Sequence, residues 1–275
     1  TLIPIIPAFL YLADDIVESW QQMKQLEKMA FISADHVIVN ALVHELQKER
    51  GLSVSVLSGG TVRVELAEQR IRTDRSLAGF THDIPDRSFS AVIAGLRHKI
   101  DRGGLGYMAA LDVYSDTIEA LLALNHARYQ QFSKFPALQN LARSNDAVAR
   151  MKEASGKERA LGAAIIASNN GHELRQKIFR LHTRVDAEGL LFNNYSGTEY
   201  KELYQVIVDP MLVNQLDQMR VQLQSLSSDN LATEISLTDW WSKTTTYIDQ
   251  LNHLLLAGTS LLFDQTVVLQ EKGKT

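Results

Sequence analysis

The chain has 275 residues, 45% of them hydrophobic, enough for one large or two modest cores and too apolar for a disordered chain. Lys and Arg number 28 against 32 Asp and Glu, and the net charge of -4 leaves no basic field for a nucleic-acid backbone. The absence of cysteine removes disulfides, thiolate metal sites, thiol nucleophiles and iron–sulfur clusters together.

The five prolines, at positions 4, 7, 85, 136 and 210, leave long uninterrupted runs that suit helices, and no segment alternates as half-buried strands do. The expectation is an all-α protein. A first helix fits Ala8 to Leu57, a rod of roughly 75 Å, stopped by Ser58-Gly59-Gly60. A second fits Val62 to Leu77, then Thr81 to Asp86 reads as a loop and a third helix as Ser88 to Ile100. After the break at Asp101-Arg102-Gly103-Gly104, helices fit Met108 to Phe132 and Ala137 to Ala167, separated at Phe135-Pro136. Asn169-Asn170-Gly171 has C-cap chemistry, and further helices fit Glu173 to Phe192, Thr198 to Ile207 and Pro210 to Leu226. Leu226 to Ile235 is polar and loop-like. In the last helix Leu237, Trp241, Thr244, Ile248, Leu251 and Leu255 recur at helical steps, a seam that favours Trp241 as bundle core over the alternative in which Trp240-Trp241 cages a cation.

The ends carry their own expectations. Residues Leu2 to Leu12 are apolar but too short to span a bilayer, so they read either as a buried helical turn or as the outer end of a transmembrane helix over residues 1–13. A start on Thr1 rather than Met suggests a piece of a longer protein, and the C-terminal helix suits a linker to a further module.

An internal repeat carries the residues of most interest. Lys48-Glu49-Arg50-Gly51-Leu52 matches Lys157-Glu158-Arg159-Ala160-Leu161 in register, 109 residues later, each followed by a small and apolar run. Arg70 to Thr73 weakly echoes Arg180 to Thr183. Two related four-helix-type bundles are expected, with halves about 14–135 and 136–266. Steps of three and four place Val39, Val43, Leu46, Arg50, Val54 and Leu57 on one stripe, and Val148, Met151, Ser155, Arg159, Ala163 and Ile166 on another. Each stripe has one charged member, an arginine that cannot shed its proton. If the stripes face inward, each arginine needs an anion from a ligand or a carboxylate from a neighbouring helix. The small residues around Arg159 leave room for a small ligand rather than a large one.

Gly104 to Ala109 formally fits a dinucleotide fingerprint but lacks a preceding strand. The eight histidines form no ligand pair on one helix face, and neither a nucleophile elbow nor a Walker loop occurs, so no metal, cofactor or enzymatic chemistry is expected.

At Leu42 to Ser53, followed by Gln69 to Asp74, the chain closely resembles the bacterial nitrate- and nitrite-sensing domain, the NIT family. Lys152 to Ala160 and the Trp240-Trp241 to Asp249 region are also similar to it. The resemblance implies an all-helical sensor that binds nitrate or nitrite between helices through arginines. Arg50 and Arg159 match the motif arginines, and Arg180, Arg184 and Arg220 are further candidates. It also implies the input of a membrane chemoreceptor, a histidine kinase, a cyclic-dinucleotide enzyme or a cytoplasmic antitermination regulator. The apolar start favours a membrane-anchored, extracytoplasmic domain over a cytoplasmic one. The resemblance to such receptors implies a homodimer, and an anion bridging arginines from separate helices is expected to shift the first helix against the last. Two other readings stay open: a structural or dimerisation bundle with internally paired arginines, and a sensor for a different small anion.

Overall fold

The computed structural model describes residues 5–80, 88–167, 172–225 and 235–272. Among them are nine α-helices and no strand: α1 (Ile5–Leu57), α2 (Arg63–Gly79), α3 (Ser88–Asp101), α4 (Tyr107–Tyr129), α5 (Pro136–Ala167), α6 (His172–Tyr195), α7 (Thr198–Ile207), α8 (Pro210–Ser225) and α9 (Leu237–Lys272). A 3-10 turn, Gln130–Lys134, links α4 to α5. The all-α expectation is borne out, and helix boundaries fall within a few residues of those read from the sequence. The expected loop at Thr81 to Asp86, the Asn169-Asn170-Gly171 cap, most of the polar stretch before Ile235 and the first four residues lie outside the described residues.

Local chemistry explains where the helices stop. Gly59, at φ 93°, ends α1; the Gly60 N–H donates to the Ser55 carbonyl and that of Gly59 to Val56. Gly103, at φ 66°, repeats this after α3, with Gly104 N–H on Lys99 and Gly103 N–H on Ile100. Both are Schellman ends, which need a left-handed residue that only glycine adopts without strain. Pro136 opens α5 at the position where a missing N–H costs nothing. The Asp209 carboxylate accepts the Met211 N–H at the start of α8, at 2.8 Å.

Helix α1 packs against α2, α4 and α9, while α5 packs against α6, α9 and α4. The long helices α1, α5 and α9 therefore meet, and one buried apolar cluster runs from Leu26 to Leu262. Both arginine stripes point inward, because Val39, Val43, Leu46 and Arg50 on α1 and Val148, Met151 and Ser155 on α5 are all buried. Ser19–Leu57 is the one candidate membrane span among the described residues by length and composition, with half of its most apolar window buried inside the protein.

The seam expected on the last helix holds at Thr244, Ile248, Leu251 and Leu255, all buried, and needs a correction at its first turn. Trp240 is fully buried, and its indole N–H donates to the Arg159 carbonyl at 3.0 Å. Leu237 is 43% exposed and Trp241 is only half-buried. The first turn of α9 forms the wall of a cleft, so its core-facing stripe starts from Trp240, through Thr244 and Ile248, rather than from Leu237 and Trp241.

Candidate functional site

Arg50 and Arg159 come from the two repeated segments and meet where α1 crosses α5. The Arg50 guanidinium lies against Gly156 on α5: a Cβ there would sit 2.7 Å from its Nη2. The Arg159 guanidinium lies against Gly51 on α1, where a Cβ would come within 3.1 Å of its Nη2. The two glycines thus let each arginine reach across the other's helix.

The carboxylates beside them are fully committed. Glu49 receives the Arg97 fork, with Nε at 2.7 Å and Nη2 at 2.8 Å, and the Tyr114 hydroxyl at 2.7 Å. Burial pushes the Glu49 carboxyl up, but Arg97 and Tyr114 outweigh it and hold it below the usual carboxylate range. Glu158 receives the Arg220 fork in the same geometry, with Nε and Nη2 both at 2.8 Å, and Asp217 takes the remaining Nη1. The two Glu-Arg dipeptides are therefore built alike: the glutamate turns outward to an arginine brace while the arginine turns inward.

The inward arginines differ in one respect. Nη1 of Arg50 donates to Glu153 and, at 2.9 Å, to the Ser115 hydroxyl; both members of the Arg50–Glu153 pair are 2% exposed. Gln47 donates to the other Glu153 oxygen at 2.9 Å. Arg159 has no carboxylate within ion-pair distance among the described residues. Its Nη1 donates to the neutral Thr245 hydroxyl at 2.9 Å, its Cζ lies 4.5 Å from the centre of the Trp241 ring, and its buried Nε has no hydrogen-bond partner. Burial, and then the neighbouring Arg50 charge, lower its pKa to about 10 against the opposing pull of Asp249. An arginine stays charged even so, and a buried cation without a counter-ion is costly unless an anion is supplied.

Two clefts flank the pair. The first, about 720 Å³, is bounded by the end of α1, by α5 and by the start of α9, and reaches Arg159 through Trp241 and Thr245. It is larger than the small residues around Arg159 suggest. The second, about 550 Å³, lies between α4, α5 and α6 and reaches Arg50 through Ser115. Arg180 and Arg184 line this second cleft, away from Arg159, with Arg184 held by Glu119 at 3.3 Å. Arg220 is held in its brace with Glu158.

Sequence reasoning found the arginine pair but not what surrounds it. Glu153 and Arg97 depend on helix crossings that carry no local signal, whereas the cation-caging alternative for Trp240-Trp241 is the one realised, by Arg159 on Trp241. The glycines Gly51 and Gly156 were visible as small residues, without the partner that each admits. A fully buried lysine, Lys152, was also missed; its Nζ donates to the Asn252 side chain at 2.8 Å beside the seam of α1, α5 and α9.

A family model described as nitrate and nitrite sensing, NIT, matches residues 41–256. Among solved structures the chain is similar to that of the NasR transcription antiterminator, with a TM-score of 0.77 and 22% identity over 96% of this chain and 76% of that one. That likeness establishes a shared fold. No sequence match was found among curated proteins.

Proposed function

The chain belongs to the NIT family of nitrate- and nitrite-sensing domains, and from that we propose that it is a non-catalytic sensor domain binding nitrate or nitrite between Arg50 and Arg159. The observation that carries this reading is the half-buried Arg159 guanidinium, stacked on Trp241, with a bare, buried Nε and no carboxylate within ion-pair distance among the described residues. Nitrate is planar, monovalent and weakly hydrated, and a planar guanidinium fork can meet two of its oxygens at once. An anion between the two arginines relieves their mutual repulsion and supplies Arg159 with its counter-ion. Arg97 and Arg220 hold Glu49 and Glu158 away from that space. Arg180 and Arg184 act outside this first contact, and Arg220 would have to release Glu158 to join it.

Signal transmission follows from the helices involved. Arg50 is on α1, Arg159 is on α5, and Trp241 and Thr245, which hold Arg159, are on α9. An anion that draws the two guanidiniums together favours one setting of α1 against α9 over another, which is the differential affinity that a ligand-driven shift needs. In the intact protein this shift reaches an output module, and the domain works as a homodimer carried outside the cytoplasm by flanking membrane helices. The two halves, about 14–135 and 136–266, are related bundles joined at the arginine pair.

A structural bundle is the second reading, and the Arg50–Glu153 ion pair favours it, because it satisfies one arginine internally. Isothermal titration of the chain with nitrate, nitrite and chloride separates the two. The sensor reading expects saturable binding of nitrate or nitrite that is lost in Arg159→Gln. A structural bundle gives no saturable heat with any of the three.

A further inference from the structure

The two clefts beside the arginine pair differ in charge. The larger one, reaching Arg159, has no charged side chain in its lining, which combines alanines and Trp241 with a rim of hydroxyls. The α4–α5–α6 cleft carries Lys157, Lys177, Arg180 and Arg184 against Asp112 and Asp116. Its inner wall touches the site directly: Ser115 accepts from Arg50 at 2.9 Å, and the Lys157 ammonium lies 3.5 Å from the Glu153 oxygen that holds Arg50.

From this we infer that the α4–α5–α6 cleft is the route by which the anion reaches the arginine pair, with Arg180 at its mouth as the steering charge. The inference rests on the reading that an anion binds between Arg50 and Arg159. Within the cleft Lys157 is tied to Glu119 and Glu153, and Arg184 to Glu119 and Glu188. Arg180 is exposed and has no ion pair among the described residues, so its field is not cancelled by a bound carboxylate. An anion crossing the apolar cleft would lose hydration without meeting a cation until Arg159, whereas the α4–α5–α6 cleft offers the exposed Arg180 and then Lys157 beside the arginine pair. The floor at Ser115 and Lys157 is one side chain away from Arg50 and its carboxylate. Arriving there, an anion can compete for Arg50 and leave Glu153 to Lys157.

Stopped-flow mixing of the full chain with sodium nitrate tests this. Tryptophan fluorescence is the readout, because Trp241 stacks on Arg159, and Arg159→Met protein sets the collisional background. At ionic strengths of about 10 mM, where charges act over roughly 30 Å, Arg180→Gln should slow association roughly threefold and leave dissociation unchanged. The difference should vanish at about 1 M, where the screening length is ~3 Å. Asp116→Asn should speed association, and Thr246→Lys, a cation added at the rim of the apolar cleft, should leave it unchanged. Equal association rates for Arg180→Gln and wild type at low salt overturn the inference, as does acceleration by Thr246→Lys to match that of Asp116→Asn. If wild type shows no nitrate signal above the Arg159→Met background, the reading of the arginine pair fails first, and the route fails with it.

Discussion

The Arg50 guanidinium fills the space that a side chain at Gly156 would need, its Nη2 lying 2.7 Å from the position of a Cβ there. Arg50 cannot swing aside freely, because Glu153 and Ser115 hold its other nitrogen. Gly156→Ala therefore sets two effects against each other. Removing a glycine from mid-helix stabilises by about 1 kcal/mol, and displacing a buried ion pair costs a similar amount or more. The net change in urea midpoint should be small while nitrate affinity falls at least tenfold. Gly51→Ala, whose Cβ would lie 3.1 Å from the Arg159 Nη2 and so displace it less, should weaken binding less. Unchanged affinity in Gly156→Ala would mean that Arg50 does not need this seat.

The arginine braces are structural, and this can be tested separately from ligand binding. Glu158 is 1% exposed and takes both ends of the Arg220 fork. Arg220→Met leaves that carboxylate buried and unpaired, which should cost about 3–5 kcal/mol in urea unfolding. Adding Glu158→Met should recover most of the loss, since apolar replacement of both partners is often close to neutral. A single variant no less stable than wild type contradicts the assignment.

Lys152 predicts an unusual pH dependence. Burial pushes its ammonium from 10.5 down to about 7, against the raising influence of Glu153, Asp249 and Glu45 and with the lowering influence of Lys48. Its folded-state value thus lies below its unfolded one. Between about pH 7 and 10.5 the unfolded chain holds more protons than the folded one, so stability rises with pH, by at most about 1.4 kcal/mol per unit. The gain is cut off near pH 10, where unfolded tyrosines ionise while buried Tyr114 and Tyr247 keep their protons. On the acid side His36 and His44, both lowered to about 3 chiefly by burial, remove stability as pH falls below 6.5. Unfolding midpoints measured from pH 7 to 9 should rise in wild type and stay flat in Lys152→Met. A flat wild-type profile refutes the role given to Lys152.

How much of this could be read from the sequence follows from the range of each signal. Helix positions were legible because proline spacing and the glycine ends at Gly59 and Gly103 are local. The inward direction of Arg50 was legible from its stripe, and the correspondence between Arg50 and Arg159 from the repeat. The partners were not. Glu153 stands beside Lys152 and Lys157 and gives no sign of facing Arg50, and Arg97 reaches Glu49 across 48 residues of chain. Trp240 and Trp241 are neighbours, and the helix phase at the first turn of α9 decides which fills the core and which stacks on Arg159. Such phases are set by how α1, α5 and α9 cross.

Whether Arg159 awaits an anion is read from the thermal unfolding midpoint in sodium nitrate, sodium nitrite and sodium chloride at matched ionic strength, for wild type and Arg159→Met. A ligand at ~100 times its dissociation constant adds about 2.7 kcal/mol to the folded state, well beyond a general salt effect. Nitrate or nitrite should raise the wild-type midpoint above chloride, and Arg159→Met, still folded, should show no such difference. Identical midpoints in all three salts for wild type, or an undiminished nitrate shift in Arg159→Met, would contradict an anion site at Arg159.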